Sequence, residues 1–285
     1  MTTEAGWQPS EAQVRRDAVR RRLRLRSTLI ASLSALVVFG ILAAVVTSSP
    51  GWTTVKATFF DWSAAKDAFP DVLKGFWLNV RLFLIAEPLI LVLGLAVAAA
   101  RVSTSPFLVP VRLLAVGYTD LFRGLPTLLV VFLVCFGVPA LNLQGVTHSL
   151  FWLALVGLVL SYGAYVAEVL RAGIESVHPS QVASATALGL SSTQTLRHVV
   201  VPQAVRRVAP PLLNDFVSLQ KDTALVAAVG LLDALGTASD TANFTFNYTP
   251  YVVAAVLFVA LTIPLARFTD WMGRRAMDRE RAGAQ

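Results

Sequence analysis

The chain has 285 residues, 55% of them hydrophobic and only 14% charged, with a mean hydropathy of +0.65. Soluble domains carry nearer a quarter charged residues, so the composition excludes an ordinary soluble domain and points to a bilayer as solvent. Formal net charge is +7, and the placement of the cations along the chain makes it a topology signal rather than a nucleic-acid footprint.

The first segment, 1–27, carries Arg15, Arg16, Arg20, Arg21, Arg22, Arg24 and Arg26 and reads as a cytoplasmic arginine-rich tail. An apolar stretch follows at 28–48. It begins as a signal peptide would, but it runs ~20 residues and ends at Thr47–Ser48–Ser49–Pro50, where proline spoils a small-x-small cleavage site. It reads as an uncleaved span. A crossing helix needs ~20 mostly apolar residues, and further candidates fall at about 77–100, 107–139, 150–170, 208–232 and 250–272. Segment 49–75 is then external and 273–285 a cytoplasmic tail. The third stretch is too long for one straight crossing and is interrupted at Arg123 and Gly124–Leu125–Pro126. Residues 107–122 read as an amphipathic or tilted approach, or as a crossing of their own. No alternating barrel pattern occurs, and unpaired sheet edges are forbidden in lipid. The expectation is an all-α integral membrane protein of about six spans.

Orientation follows from the positive-inside rule. With the N-terminus inside, Arg101, Arg112, Arg123, Arg171, Arg197, Arg206, Arg207, Arg267, Arg274, Arg275, Arg279 and Arg281 join the N-terminal arginines on the cytoplasmic side. Only Lys56, Lys66 and Lys74 lie outside. Both termini are expected in the cytoplasm of a multi-pass cell-membrane protein. Cys135, alone of its kind, sits in an apolar run and reads as a packed small residue. His148, His178 and His198 are scattered without metal-ligand spacing, so no metal site is expected.

Ionisable groups inside spans are costly and are functional candidates. Glu87 precedes Pro88 in the second span. Arg81 lies six residues earlier, ~600° of helix rotation, and so off its face. Glu87 is either a paired structural carboxylate or faces a watery cavity. Glu168 and Arg171 are spaced i, i+3, as a local ion pair would be. Arg123 reads as an anchor at the cytoplasmic end, with gating the alternative.

Between spans four and five lies QVASATALGLSSTQTLRHVVVPQA, residues 181–204. Pro179 suits a first helical turn, Gly189 a left-handed C′ position, and Ser191–Ser192–Thr193–Gln194 a capping box. The second helix is expected to end before Pro202, because the residue preceding proline avoids the α region. Small residues at Ala183, Ser184, Ala185 and Ala187 leave room for close backbone approach. The loop is either packed on its own membrane domain or docked to a cytoplasmic partner.

In span five, Asn214, Asp215, Ser218, Lys221 and Asp222 fall in an arc of ~120° at 100° per residue. A stripe of both signs suits a zwitterionic amino acid. The plainer alternative is a Lys221–Asp222 pair closing a helix seam.

The loop spacing resembles the cytoplasmic EAA loop of ABC-importer permeases. Ala183–Ser184–Ala185 stands at the triplet, Gly189 three residues on, and Val199, Val201 and Pro202 at the tail. The stretches 163–177, 201–230 and 121–137 resemble the polar amino-acid uptake subfamily. This resemblance implies a five-span type I importer core over 76–272, with the first span as an addition. It also implies a coupling loop at about 173–204, seated on a separate cytoplasmic ATPase that binds ATP and Mg. An external solute-binding protein and a second permease chain would complete the assembly, with membrane lipid around it and no nucleic acid. The family's acidic residue in the triplet is Ala183 here, which leaves shape, Gly189, Arg197 and His198 as contacts. No G-x-x-x-x-G-K-[ST] occurs, so this chain is expected to bind no cofactor and hydrolyse no ATP. Asn214, Asp215, Ser218, Lys221, Asp222, Glu87 and Glu168 are the candidate translocation-path residues. The competing readings are an ion-coupled carrier using Glu87 or Asp222, for which no inverted repeat is found, and an intramembrane enzyme, for which Ser161 has no evident partner.

Overall fold

The computed structural model describes residues 10–103 and 105–282, and the chain divides into two units, Met1–Ala57 and Thr58–Gln285. No strand occurs among the described residues.

The first unit is dominated by α1, Glu11–Thr47. The expected arginine-rich tail is thus helical from Glu11 onward, and its residues 1–9 lie outside the described residues. No proline interrupts 11–47, and arginine and leucine are strong helix formers. Propagation from the apolar stretch back through the arginines is therefore favourable. Leu29, Leu36 and Phe39 of α1 are exposed, as side chains meant for lipid are. A short helix, α2 (Trp52–Phe59), follows.

The second unit opens at Thr58. Its first long helix, α3 (Trp62–Val102), is capped by Asp61, whose Oδ1 accepts from the backbone N–H of Ser63 at 2.9 Å and of Ala64 at 3.3 Å. Ala68 and Val72 are buried in one cluster with Ala234, Ala238 and Ala254. Ala68 and Val72, in the stretch expected as an external connection, are therefore packed into this unit.

Next come α4 (Val109–Gly124) and α5 (Thr127–Phe132). A π turn over Leu133–Gly137 leads from α5 into the short α6, Val138–Ala140. Leu125, before Pro126, is extended at φ −102° and ψ 139°, and the two halves meet at 109°. The break falls where the Gly–Leu–Pro stretch predicts it.

The central helix is α7, Leu150–Glu175. Its glycines let neighbours approach closely. A Cβ on Gly157 would stand 3.0 Å from Val131 Cα, and one on Gly173 would collide with Val208 Cγ1. Small residues at crossings serve this purpose in membrane helices. Leu82, Ile90, Val131, Leu158, Leu219 and Val226 form the main core around α7, and Cys135 is buried within it.

Then follow α8 (Pro179–Ala187), α9 (Ser192–Thr195), a π turn over Leu196–Val200, and α10 (Val201–Asp222). A tight 3-10 run, Thr223–Val229, ends at Gly230 with φ +92°. An element absent from the sequence reading comes next, α11 (Ala234–Thr245), before α12 (Thr249–Ala282). Residues 283–285 of the expected C-terminal tail lie outside the described residues. Asp233 fixes α11 to α3. Its Oδ1 caps Gly236 N–H at 2.8 Å, and its Oδ2 accepts from Asn79 Nδ2 at 2.8 Å. Asn79 Oδ1 accepts from Ala234 N–H at 3.1 Å. Both side chains are buried, so each satisfies the other where no water reaches.

Glu11–Thr47, Trp52–Val102, Leu150–Glu175 and Thr249–Arg275 are long and apolar enough to cross a membrane. The total is six if the bent pairs Pro106–Ala140 and Ser192–Thr245 each count as one span.

Candidate functional site

The loop between α7 and α10 is built by local chemistry. His178 Nδ1 accepts from Ser180 N–H at 3.2 Å, with Pro179 in the first turn of α8. At the other end, Gly189 N–H bonds Thr186 O at 2.9 Å and Leu190 N–H bonds Ala185 O at 3.2 Å. This is the paired bonding of a Schellman corner, and Gly189 takes φ +80° to make it. Ser191 then opens α9 with both halves of a capping box, Ser191 N–H to Gln194 Oε1 at 2.9 Å and Gln194 N–H to Ser191 Oγ at 3.3 Å.

The second helix does not end before Pro202, which corrects the sequence expectation. Val201 sits in the α region at φ −58° and ψ −45°, and its N–H reaches back to Leu196 O. The π turn widens the helix by one residue just ahead of the proline. This relieves the clash its ring would make with the carbonyl four residues back. So α9 runs through Pro202 into α10 as one continuous rod. The base of the loop is closed by Arg207, whose Nη1 donates to the backbone carbonyl of Ser176 and, at 2.9 Å, to its Oγ. Ala183, Ser184, Arg197 and His198 are exposed, and Leu188 is 82% exposed. Ala185 and Thr195 are buried inside the corner.

The five polar residues of span five all lie on α10. The helix tightens after Asp222, and the five side chains meet different neighbours. Asp222 Oδ2 accepts from Tyr162 O–H of α7 at 2.7 Å. Asp215 is partly buried within electrostatic reach of Glu87 of α3, and its Oδ2 has no hydrogen-bond partner among the described residues. Asn214 lines a groove against α12. Ser218 is half-buried and Lys221 exposed. No ion pair joins Lys221 to Asp222 among the described residues, so the pair expected to close a helix seam is not formed. Gln220, which the stripe passed over, is 2% exposed, and its Oε1 accepts from Thr262 Oγ1 at 2.6 Å. Glu87 has no ion-pair partner among the described residues.

Glu168 is more heavily engaged than an i, i+3 pair. Arg171 reaches both of its oxygens, at 2.6 and 3.2 Å, and also bonds Glu175. Arg101 of α3 donates to Glu168 Oε2 at 2.6 Å, and Arg123 approaches the same oxygen at 3.5 Å. One carboxylate thus ties the end of α3, the end of α4 and the last third of α7 together. Arg101 reads in sequence only as an orientation signal, because its partner lies 67 positions away. Ser161 does have a neighbour, Thr127 Oγ1 at 2.8 Å, but that pair of hydroxyls contains no base for a nucleophile. No cluster of metal-ligating residues occurs among the described residues.

Comparison with known proteins gives a consistent answer. Residues 90–278 match the model of the family described as binding-protein-dependent transport system inner membrane component. The arginine transport system permease protein ArtQ of Bacillus subtilis (strain 168) is 32% identical over 207 residues, 72% of this chain and 92% of that protein. The probable glutamine ABC transporter permease protein GlnM of the same organism is 32% identical over 212 residues, covering 73% and 94%. A crystal structure of an amino acid ABC transporter with histidines superposes with a TM-score of 0.68 at 27% identity, covering 75% of this chain and 98% of that one.

Proposed function

The chain belongs to the family of binding-protein-dependent transport system inner membrane components, and from that premise we propose that it is the permease subunit of an ATP-driven importer carrying a polar amino acid into the cell. The amino-acid assignment is supported by relatives named for arginine and glutamine transport. ATP and Mg belong to a separate cytoplasmic ATPase. An external solute-binding protein delivers the substrate, and a second permease chain, identical or similar, completes the pathway. Both termini of this chain lie in the cytoplasm.

The observation that carries the reading is the 173–204 loop. Two short helices meet at a fixed corner, the second is continuous with α10, and the base is tied by Arg207 to Ser176. A rod transmits displacement where a flexible loop would absorb it. Closure of an ATPase beneath α8 and α9 would therefore tilt α10 directly. Ala183 in place of an acidic residue leaves exposed Leu188 and the small triplet to seat the loop by shape, with Arg197 and His198 beside them.

Reconstitution into vesicles with candidate ATPases and binding proteins tests this. Uptake should require internal ATP and binding protein and persist when ion gradients are collapsed. Uptake that follows a proton or sodium gradient without ATP would show an ion-coupled carrier instead.

A further inference from the structure

A groove of about 290 Å³ lies between α10 and α12, near the arginine-rich end of α12. Its polar lining is Asn214 from α10 with Thr269, Asp270 and Arg274 from α12, and Leu213 and Val217 supply an apolar wall. Asp270 and Arg274 are one helical turn apart, the spacing at which opposite charges commonly pair. Yet no ion pair or hydrogen bond joins either of them, or the Asn214 amide, to another described residue. The neighbouring Arg275 is committed elsewhere, stacked 4.9 Å from the Trp271 ring centre. Thr269 is 6% exposed and donates to Ala266 O at 2.9 Å, which leaves its oxygen free to accept. Asn214, Asp270 and Arg274 are exposed, and with Thr269 they line one small space that has an apolar side.

That is the complement of a free amino acid. Resting on the importer reading, we propose that this groove binds the substrate's backbone groups, with Asp270 taking the α-ammonium and Arg274 the α-carboxylate. Arginine suits a carboxylate because its planar fork can give two parallel hydrogen bonds. Asn214 offers both a donor and an acceptor, and the Leu213–Val217 wall receives the aliphatic part of the side chain. The volume is just below the ~300–1,000 Å³ of drug-sized pockets, in keeping with a small ligand. The zwitterion is thus recognised across two helices, with both charges from α12, and Lys221 and Asp222 take no part.

Equilibrium binding of radiolabelled L-glutamine and L-arginine to the purified full-length chain tests the assignment without any transport step. At least one should bind, with competition by the free amino acid but not by its N-acetyl or methyl-ester derivative. Asp270→Asn and Arg274→Gln should each weaken binding ~10-fold or more, the loss expected for one charge-assisted contact. Both positions are exposed, so neither variant removes a core contact, and an unchanged melting profile checks this. Absence of binding at millimolar probe, equal competition by the blocked derivatives, or wild-type affinity in both variants would overturn the groove. Uptake by the assembled wild-type system is measured in parallel. If ATP-driven uptake is intact while the groove variants bind normally, the site falls and the importer reading stands. If wild-type uptake needs no ATP, the importer reading itself falls.

Discussion

Gly189 is required by its backbone rather than by its surroundings. Its φ is +80°, and a Cβ added there would meet nothing within 4 Å. The cost of substitution is therefore strain alone, about 1–3 kcal/mol for a β-branched residue in the left-handed region. Gly189→Val should leave insertion intact but distort the corner, and the ATPase should be lost on co-purification. Gly189→Asn, which tolerates that conformation, should retain it. Normal uptake by the valine variant would remove the corner from the coupling path. Lys221 and Tyr162 invite a paired comparison. Lys221 is exposed and has no ion-pair partner among the described residues, so Lys221→Met should shift stability by less than ~0.5 kcal/mol, as surface changes do. Tyr162→Phe strips Asp222 of its hydroxyl donor and should cost about 1–3 kcal/mol. Thermal unfolding of the two purified variants gives the comparison, and a reversed order would return Lys221 to a structural pair. Sequence alone offered Lys221 as one of two alternatives for Asp222, and the contact with Tyr162 was not among them. A helical wheel orders side chains around one helix and contains nothing about α7.

At the scale of elements, the corner of the loop was legible because caps are local. Ser191 and Gln194 are three positions apart, and Gly189 needs only its own backbone. The continuity of α9 with α10 was not legible. Proline biases its predecessor away from the α region without excluding it, and this chain carries Pro70, Pro88, Pro210, Pro211 and Pro264 inside helices as well. The buried Asn79–Asp233 bond was hidden for a different reason, since 154 positions separate the partners. With them went α11 and the packing of Ala68 and Val72 against it. The junction of α7 with α10 supports a further prediction. Gly173 faces Val208 so closely that any side chain collides. Gly173→Ala should push the two helices apart and cost about 1–3 kcal/mol, the usual penalty of overpacking. Val208→Ala in the same chain clears the space and should recover most of the loss. A double-mutant cycle on thermal stability measures the coupling. Additive effects would mean that the two helices do not bear on each other at this point.

At the scale of the whole molecule, the family match begins at residue 90 and the arginines of α1 lie wholly ahead of it. They are spread around the helix rather than along one face. From Arg15 at 0°, Arg16, Arg20, Arg21, Arg22, Arg24 and Arg26 fall at roughly 100, 140, 240, 340, 180 and 20°. A protein-binding face would be one-sided, whereas a collar suits headgroups surrounding a crossing helix. Each basic residue beside an anionic leaflet contributes about 1 kcal/mol. Deleting residues 1–20 leaves Arg21, Arg22, Arg24 and Arg26, which still bias this end toward the cytoplasm by several kcal/mol. Uptake by the truncated chain should therefore stay within ~2-fold of the full chain, since none of the residues removed belongs to the loop, the Glu168 junction or the α10–α12 groove. Orientation is checked in the same preparation. With Cys135→Ala as background, Ala183→Cys places a thiol on the exposed face of the loop, and a membrane-impermeant maleimide should label it only after the cells are opened. Labelling of intact cells expressing the truncation would mean that the first twenty residues set the topology. Correct labelling with uptake abolished would instead give the N-terminal segment a direct part in transport.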